Sequence, residues 1–133
     1  MNKYFSINDA NKILPTIIKK FNYSKSLKNE IIKLEQQMNL DLTSKTSMID
    51  YTTLKQKFNA VITKFYQSLE DLENTGVVLK GLEQGLLDFP AKRFDKEIWL
   101  CWKEGETEIK FWHEKDSGFM GRKPISVSNE SLV

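Results

Sequence analysis

Apolar side chains recur at Ile17, Phe21, Leu27, Ile31, Leu34 and Met38, with Ser24 filling the one gap, at spacings of three and four. Because 3.6 residues make a turn, this spacing lines up one face of a helix about six turns long. Ahead of it, Ser6 and Asp9 stand three apart as in a capping box, and Phe5 is placed to staple the first turn. A short helix is therefore predicted over Ile7 to Leu14, after which Pro15 either kinks it or opens a new helix. From Asn39 to Asp50 the pattern gives way to Asn, Asp, Thr and Ser, whose side chains compete for the backbone, so the helix is expected to end in a turn there. A second stripe runs through Tyr51, Leu54, Phe58, Val61, Phe65, Leu69 and Leu72, with Gly76 suited to a left-handed cap. Two such helices fold back as an antiparallel pair, with Ile18, Ile32 and Ile62 widening their stripes.

Beyond Gly76 the texture changes. Val77-Val78-Leu79 is rich in β-branched residues, and Gly81, Gly85 and Pro90 punctuate the next stretch. Strands are predicted at 77–79, at Leu86 to Phe89, at Glu97 to Trp102 and at Glu108 to His113, the last two joined about Gly105. Pairing about that glycine sets Trp102 opposite Ile109, Leu100 opposite Phe111 and Ile98 opposite His113. The other face then receives Trp99, Cys101, Lys110 and Trp112. The predicted class is α+β: a long antiparallel helical hairpin over 1–76, then a small antiparallel sheet of about four short strands over 77–125. A loose tail is expected at 126–133, and 133 residues suit a single domain.

Composition narrows the function. At 40% hydrophobic and 29% charged residues the chain is neither disordered nor a membrane span, and its N-terminus lacks the apolar run of a signal peptide. The expected location is the cytoplasm. One cysteine, Cys101, and one histidine, His113, rule out a disulfide within the chain and leave zinc at most one ligand of each type. Residues 12–64 carry ten lysines against four acids, whereas from Val77 onward nine basic residues face ten acidic ones. Attraction to an anionic partner would come from the first half.

Several runs resemble a known family: Gly76-Val77-Val78-Leu79-Lys80, Gly85-Leu86-Leu87-Asp88-Phe89-Pro90, Leu100-Cys101-Trp102-Lys103-Glu104-Gly105-Glu106 and Ile109-Lys110-Phe111-Trp112-His113-Glu114. Gly118-Phe119-Met120-Gly121-Arg122-Lys123-Pro124-Ile125 and the opening Phe5 to Ala10 with Leu14-Pro15 extend the match. Together they are similar to a small prokaryotic family known as domain of unknown function 2203, from which this chain departs at Gly81, where an acid is common. The resemblance implies the helix-plus-sheet architecture and a shared site, and brings no activity with it.

The site must come from the residues. Asp88, in an apolar strand, needs a partner, and Arg122, after two glycines, is the expected one, either as a structural ion pair or with Arg122 receiving an anionic ligand. Glu104 and Glu106 flank Gly105 and, with Glu108, Glu114 and His113, offer carboxylates for a hard cation or acid–base work, or serve as a solvated turn. Cys101 is read as a small packed residue. The three tryptophans, Trp112 among them, and Phe119 form either core or a docking surface. No phosphate loop, nucleophile–histidine–acid motif or paired metal signature is present, so no catalytic residue, metal or cofactor is assigned. The favoured function is a non-enzymatic interaction or regulatory module with a protein partner or a second copy of itself, and no membrane. Its rival is a small enzyme or ligand sensor using Asp88, Glu106, His113 and Arg122. A third reading has the lysine-rich hairpin binding nucleic acid.

Overall fold

The computed structural model describes residues 3–43 and 48–125. Two long helices, α1 (Ile7–Thr43) and α2 (Met48–Glu73), precede strands β1 (Val78–Gly81), β2 (Leu86–Arg93), β3 (Lys96–Lys103), β4 (Phe111–Glu114) and β5 (Lys123–Pro124). The α+β class holds. The chain divides into two compact units, one of Met1–Lys19 with Leu72–Val133 and one of Lys20–Asp71.

α1 is one helix, not two. Ala10, Leu14, Ile17 and Phe21 keep helical spacing across Pro15 and are all buried. Packing on both sides of the proline keeps the segment helical against a cost of about 3 kcal/mol. Nor does α1 end at Asn39. With no Gly or Pro between Asn39 and Asp50, the polar residues cost only tenths of a kcal/mol each, and the helix runs on to Thr43. The part of the predicted turn at 44–47, like the predicted tail at 126–133, lies outside the described residues. In the hairpin, Leu27, Ile31, Leu34 and Met38 of α1 and Val61 and Phe65 of α2 are buried. Ser68 replaces Leu69 as the innermost residue of its turn, because its hydroxyl meets that of Ser24 at 2.7 Å and donates to the Phe65 carbonyl. Two buried hydroxyls that satisfy each other cost little.

Among the described residues five strands, one more than predicted, form an antiparallel meander in the order β1-β2-β3-β4-β5. β2 is eight residues long and passes through Pro90, where the predicted strand stopped at Phe89. Pairing with β1 ends at Val78 opposite Asp88, so no neighbouring strand needs the missing Pro90 N–H, and the Pro90 carbonyl accepts the Phe5 N–H at 2.7 Å. β1 is shifted one residue along from the expected run, and β4 begins at Phe111 instead of Glu108. Segment 104–110 is occupied otherwise: Trp102 Nε1 donates to the Glu106 carbonyl, and the Ile109 N–H donates to Asn11 Oδ1.

The register of β3 on β4 is displaced by one residue from the predicted pairing. Leu100 faces Trp112, Trp99 faces His113 and Ile98 faces Glu114. A one-residue slip exchanges the two faces of a strand, so Trp112 joins Leu87, Phe89, Ile98, Leu100 and Trp102 on the apolar face. There Phe5 meets Phe89 edge to face at 5.2 Å. His113 moves to the opposite face with Asp88, Trp99 and Cys101.

Candidate functional site

On that second face β2 and β3 set Asp88 directly opposite Cys101, and β4 brings in His113 beside them. All three side chains are 2–3% exposed. His113 Nε2 lies 3.0 Å from Asp88 Oδ2, and His113 Nδ1 lies 2.9 Å from the Glu114 carbonyl oxygen. A carbonyl only accepts, so Nδ1 carries a proton, and one further proton must lie between Nε2 and Oδ2. Burial pushes the Asp88 carboxyl above its ordinary value, against the opposing pull of His113, Lys80 and a hydrogen bond from Cys101. Burial, followed by the charge of Asp88, pushes the Cys101 thiol up to about 12. Such a thiol is no nucleophile near neutral pH. A cavity of about 100 Å³ opens over the three, lined also by Lys80, Trp99, Lys115, Ser117 and Phe119. The ammonium groups of Lys80 and Lys115 lie 4.3 and 4.7 Å from the centre of the Trp99 ring.

Arg122 does not pair with Asp88. Its Nη2 donates to both carboxylate oxygens of Glu106, at 2.9 and 2.8 Å, while the guanidinium stacks 3.8 Å from the Phe111 ring centre and 4.7 Å from that of Phe119. Glu106 Oε1 also accepts the Lys103 N–H, so Glu106 ties the β3–β4 loop both to β3 and to the residue that precedes β5. The expected four-residue cluster thus separates into two pairs, Asp88–His113 and Glu106–Arg122. Glu104 is exposed, and its N–H bonds the carbonyl of Gly85, which adopts a positive φ of 69° beside it. Glu114 pairs with Lys123 at the surface, which lowers its carboxyl below the ordinary value.

Trp112 belongs to a different place. It lines a pocket of about 250 Å³ at the β2–β3 turn, with Arg93, Phe94, Asp95, Lys96, Ile98 and Glu114. The turn itself, Phe94-Asp95, has φ of 51° and 63°. Both residues are left-handed, the two-residue hairpin geometry that Asn-Gly adopts cheaply and a bulky side chain does not. Phe94 is 74% exposed. The Arg93 guanidinium lies 5.0 Å from the Phe94 ring centre and 4.9 Å from that of Trp112, and its Nε is buried without a hydrogen-bond partner among the described residues. Arg93 and Phe94 were not among the sequence-predicted site residues. Phe-Asp is not a turn dipeptide that sequence patterns flag.

These features define a small protein of helical hairpin and antiparallel sheet, with a buried acid–thiol–imidazole group on one sheet face and an aromatic pocket on the other. The chain belongs to the family of uncharacterized conserved proteins DUF2203, whose model matches residues 3–125. No curated protein and no solved structure matches it.

Proposed function

We propose that the protein is a small cytoplasmic interaction module without catalysis of its own, and that it docks a protein partner at the β2–β3 turn. One observation carries the reading: an exposed Phe94 held at positive φ beside Arg93, whose buried Nε lacks a partner among the described residues. Strained, exposed aromatic residues are costly to keep, and Phe, Trp, Tyr and Arg are enriched at protein interfaces relative to the rest of the surface. The pocket floor, Trp112 and Ile98, takes an apolar side chain, and Arg93 takes a carboxylate or carbonyl next to it. The partner is therefore a segment that places an apolar residue next to an acid. The separation of Asp88–His113 from Glu106–Arg122 supports a role without catalysis, since no single open pocket among the described residues gathers these groups. Among the described residues no helix is long and apolar enough to cross a membrane.

The test is native recovery of the tagged protein at low salt, beside the double variant Phe94→Asn/Asp95→Gly. That variant relieves the turn and is expected to melt higher, yet to lose a stoichiometric protein that the wild type retains. Equal recovery by both forms, or recovery of only RNA or a small molecule, would contradict the reading.

A further inference from the structure

We infer that Asp88, Cys101 and His113 form a binding site for one zinc-class transition-metal ion. The chain has one thiol and one imidazole, and the fold brings both to the same point with a buried carboxylate. One ligand atom from each residue lies within 4.8 Å of the other two. Each ligand comes from a different strand, β2, β3 and β4, so backbone pairing positions all three.

The second observation is the orientation of the ring. Nδ1–H is engaged by the Glu114 carbonyl, which leaves Nε2 turned inward to Asp88. Metal-binding histidines commonly hold their remote N–H in this way, because the outer bond fixes the ring and makes the inner nitrogen a better donor. The donor set of one sulfur, one nitrogen and one oxygen decides the class of ion. Calcium and magnesium require six or more oxygens, whereas zinc accepts mixed thiolate, imidazole and carboxylate ligands in four-coordinate geometry. Thiolate and carboxylate together cancel the charge of a divalent ion, and its entry displaces the protons held within the group. Three protein ligands leave a fourth position. It faces the cavity of about 100 Å³, whose lining includes Lys80 and Lys115 and which has room for a water on the metal. Without an ion the same three residues are a closed hydrogen-bonded group that ties three strands together, and the two states are separable by spectroscopy.

The experiment uses the full chain without a polyhistidine tag, stripped with a chelator and titrated with cobalt(II). One equivalent is expected to give a thiolate-to-metal charge-transfer band in the near ultraviolet and visible bands of a four-coordinate ion, both bleached by one equivalent of zinc(II). Cys101→Ser, checked for fold by circular dichroism, is expected to lose the charge-transfer band, and His113→Gln to weaken cobalt binding at least about tenfold. Folded wild-type protein that shows no charge-transfer band with excess cobalt would overturn the assignment, as would a band that survives in Cys101→Ser. The wild-type spectrum decides by itself if a variant does not fold.

Discussion

The two faces of the sheet both bury side chains, and the buried groups on them are of opposite kinds. On one, Leu87, Phe89, Leu100 and Trp102 are at most 1% exposed, and the one polar atom among these side chains, Trp102 Nε1, donates to a carbonyl. On the other, Asp88, Cys101 and His113 are almost as deeply placed and bring an acid, a thiol and an imidazole out of water. The first face is held by the area it removes from solvent, about 25 cal/mol for each Å² of apolar surface. The second is held only while its polar atoms satisfy each other, since a buried donor or acceptor without a partner costs about 1–3 kcal/mol. Apolar burial is therefore what stabilises this sheet. The polar face is kept at a cost that apolar residues of similar shape would avoid, which is why it is the place to look for binding.

The largest loss is expected on the apolar side. Trp102→Ala is expected to lose about 3–5 kcal/mol in urea unfolding, the range for emptying a large aromatic site. On the polar side Asp88→Ala leaves the Cys101 thiol and His113 ring without their acceptor and is expected to cost about 1–3 kcal/mol. The double change Asp88→Leu/His113→Phe should recover most of that loss, because an apolar pair replaces a polar pair at little net cost. Failure of the double variant to recover would show that the polar face contributes stability of its own.

Smaller effects come from titration. The native Asp88 carboxyl holds its proton above the ordinary value of 3.8, so the native state binds more protons than the unfolded one between that value and the raised one. Stability from this group is accordingly expected to fall as pH rises through that window, and the Asp88→Asn variant should lack the decline. Glu97 and Glu114 run the other way. Tyr4 and Lys115 lower the first and Lys123 the second, and what they contribute disappears as pH falls below the usual carboxylate range. Because both carboxylates are exposed, the difference between wild type and Asp88→Asn isolates the buried group. Smallest of all, alkylation of Cys101 at pH 8 is expected to be negligible in the folded protein and complete in denaturant, measured by intact mass.

The helices were legible from spacing because most of the residues that pack are ones that repeat, from Ile17 to Met38 and at Val61, Phe65 and Leu72, although Ser68 takes the place of Leu69 and Tyr51, Leu54 and Phe58 are only half-buried. Their ends were less so: Pro15 and the Asn39–Thr43 run obey local preferences that packing and helix continuity override. The sheet was legible in kind but not in register. β3 reads Ile98-Trp99-Leu100-Cys101-Trp102, apolar on both faces, and β4 begins Phe111-Trp112, so alternation cannot choose between two pairings one residue apart. The candidate site depended on that choice. The predicted register placed His113 away from Trp99 and Cys101 and left Arg122 as the natural partner of Asp88, whereas the observed one gives Asp88 to His113 and Arg122 to Glu106.

Whether the chain's one histidine is locked to Asp88 on the second face can be read by long-range proton–nitrogen NMR of histidine-labelled protein. One imidazole contributes to the spectrum. Expected are a protonated Nδ1 that exchanges slowly with water and a shift of Nε2 on replacing Asp88 by Asn. An unprotonated Nδ1, or a ring that exchanges freely and ignores that substitution, would contradict that pairing.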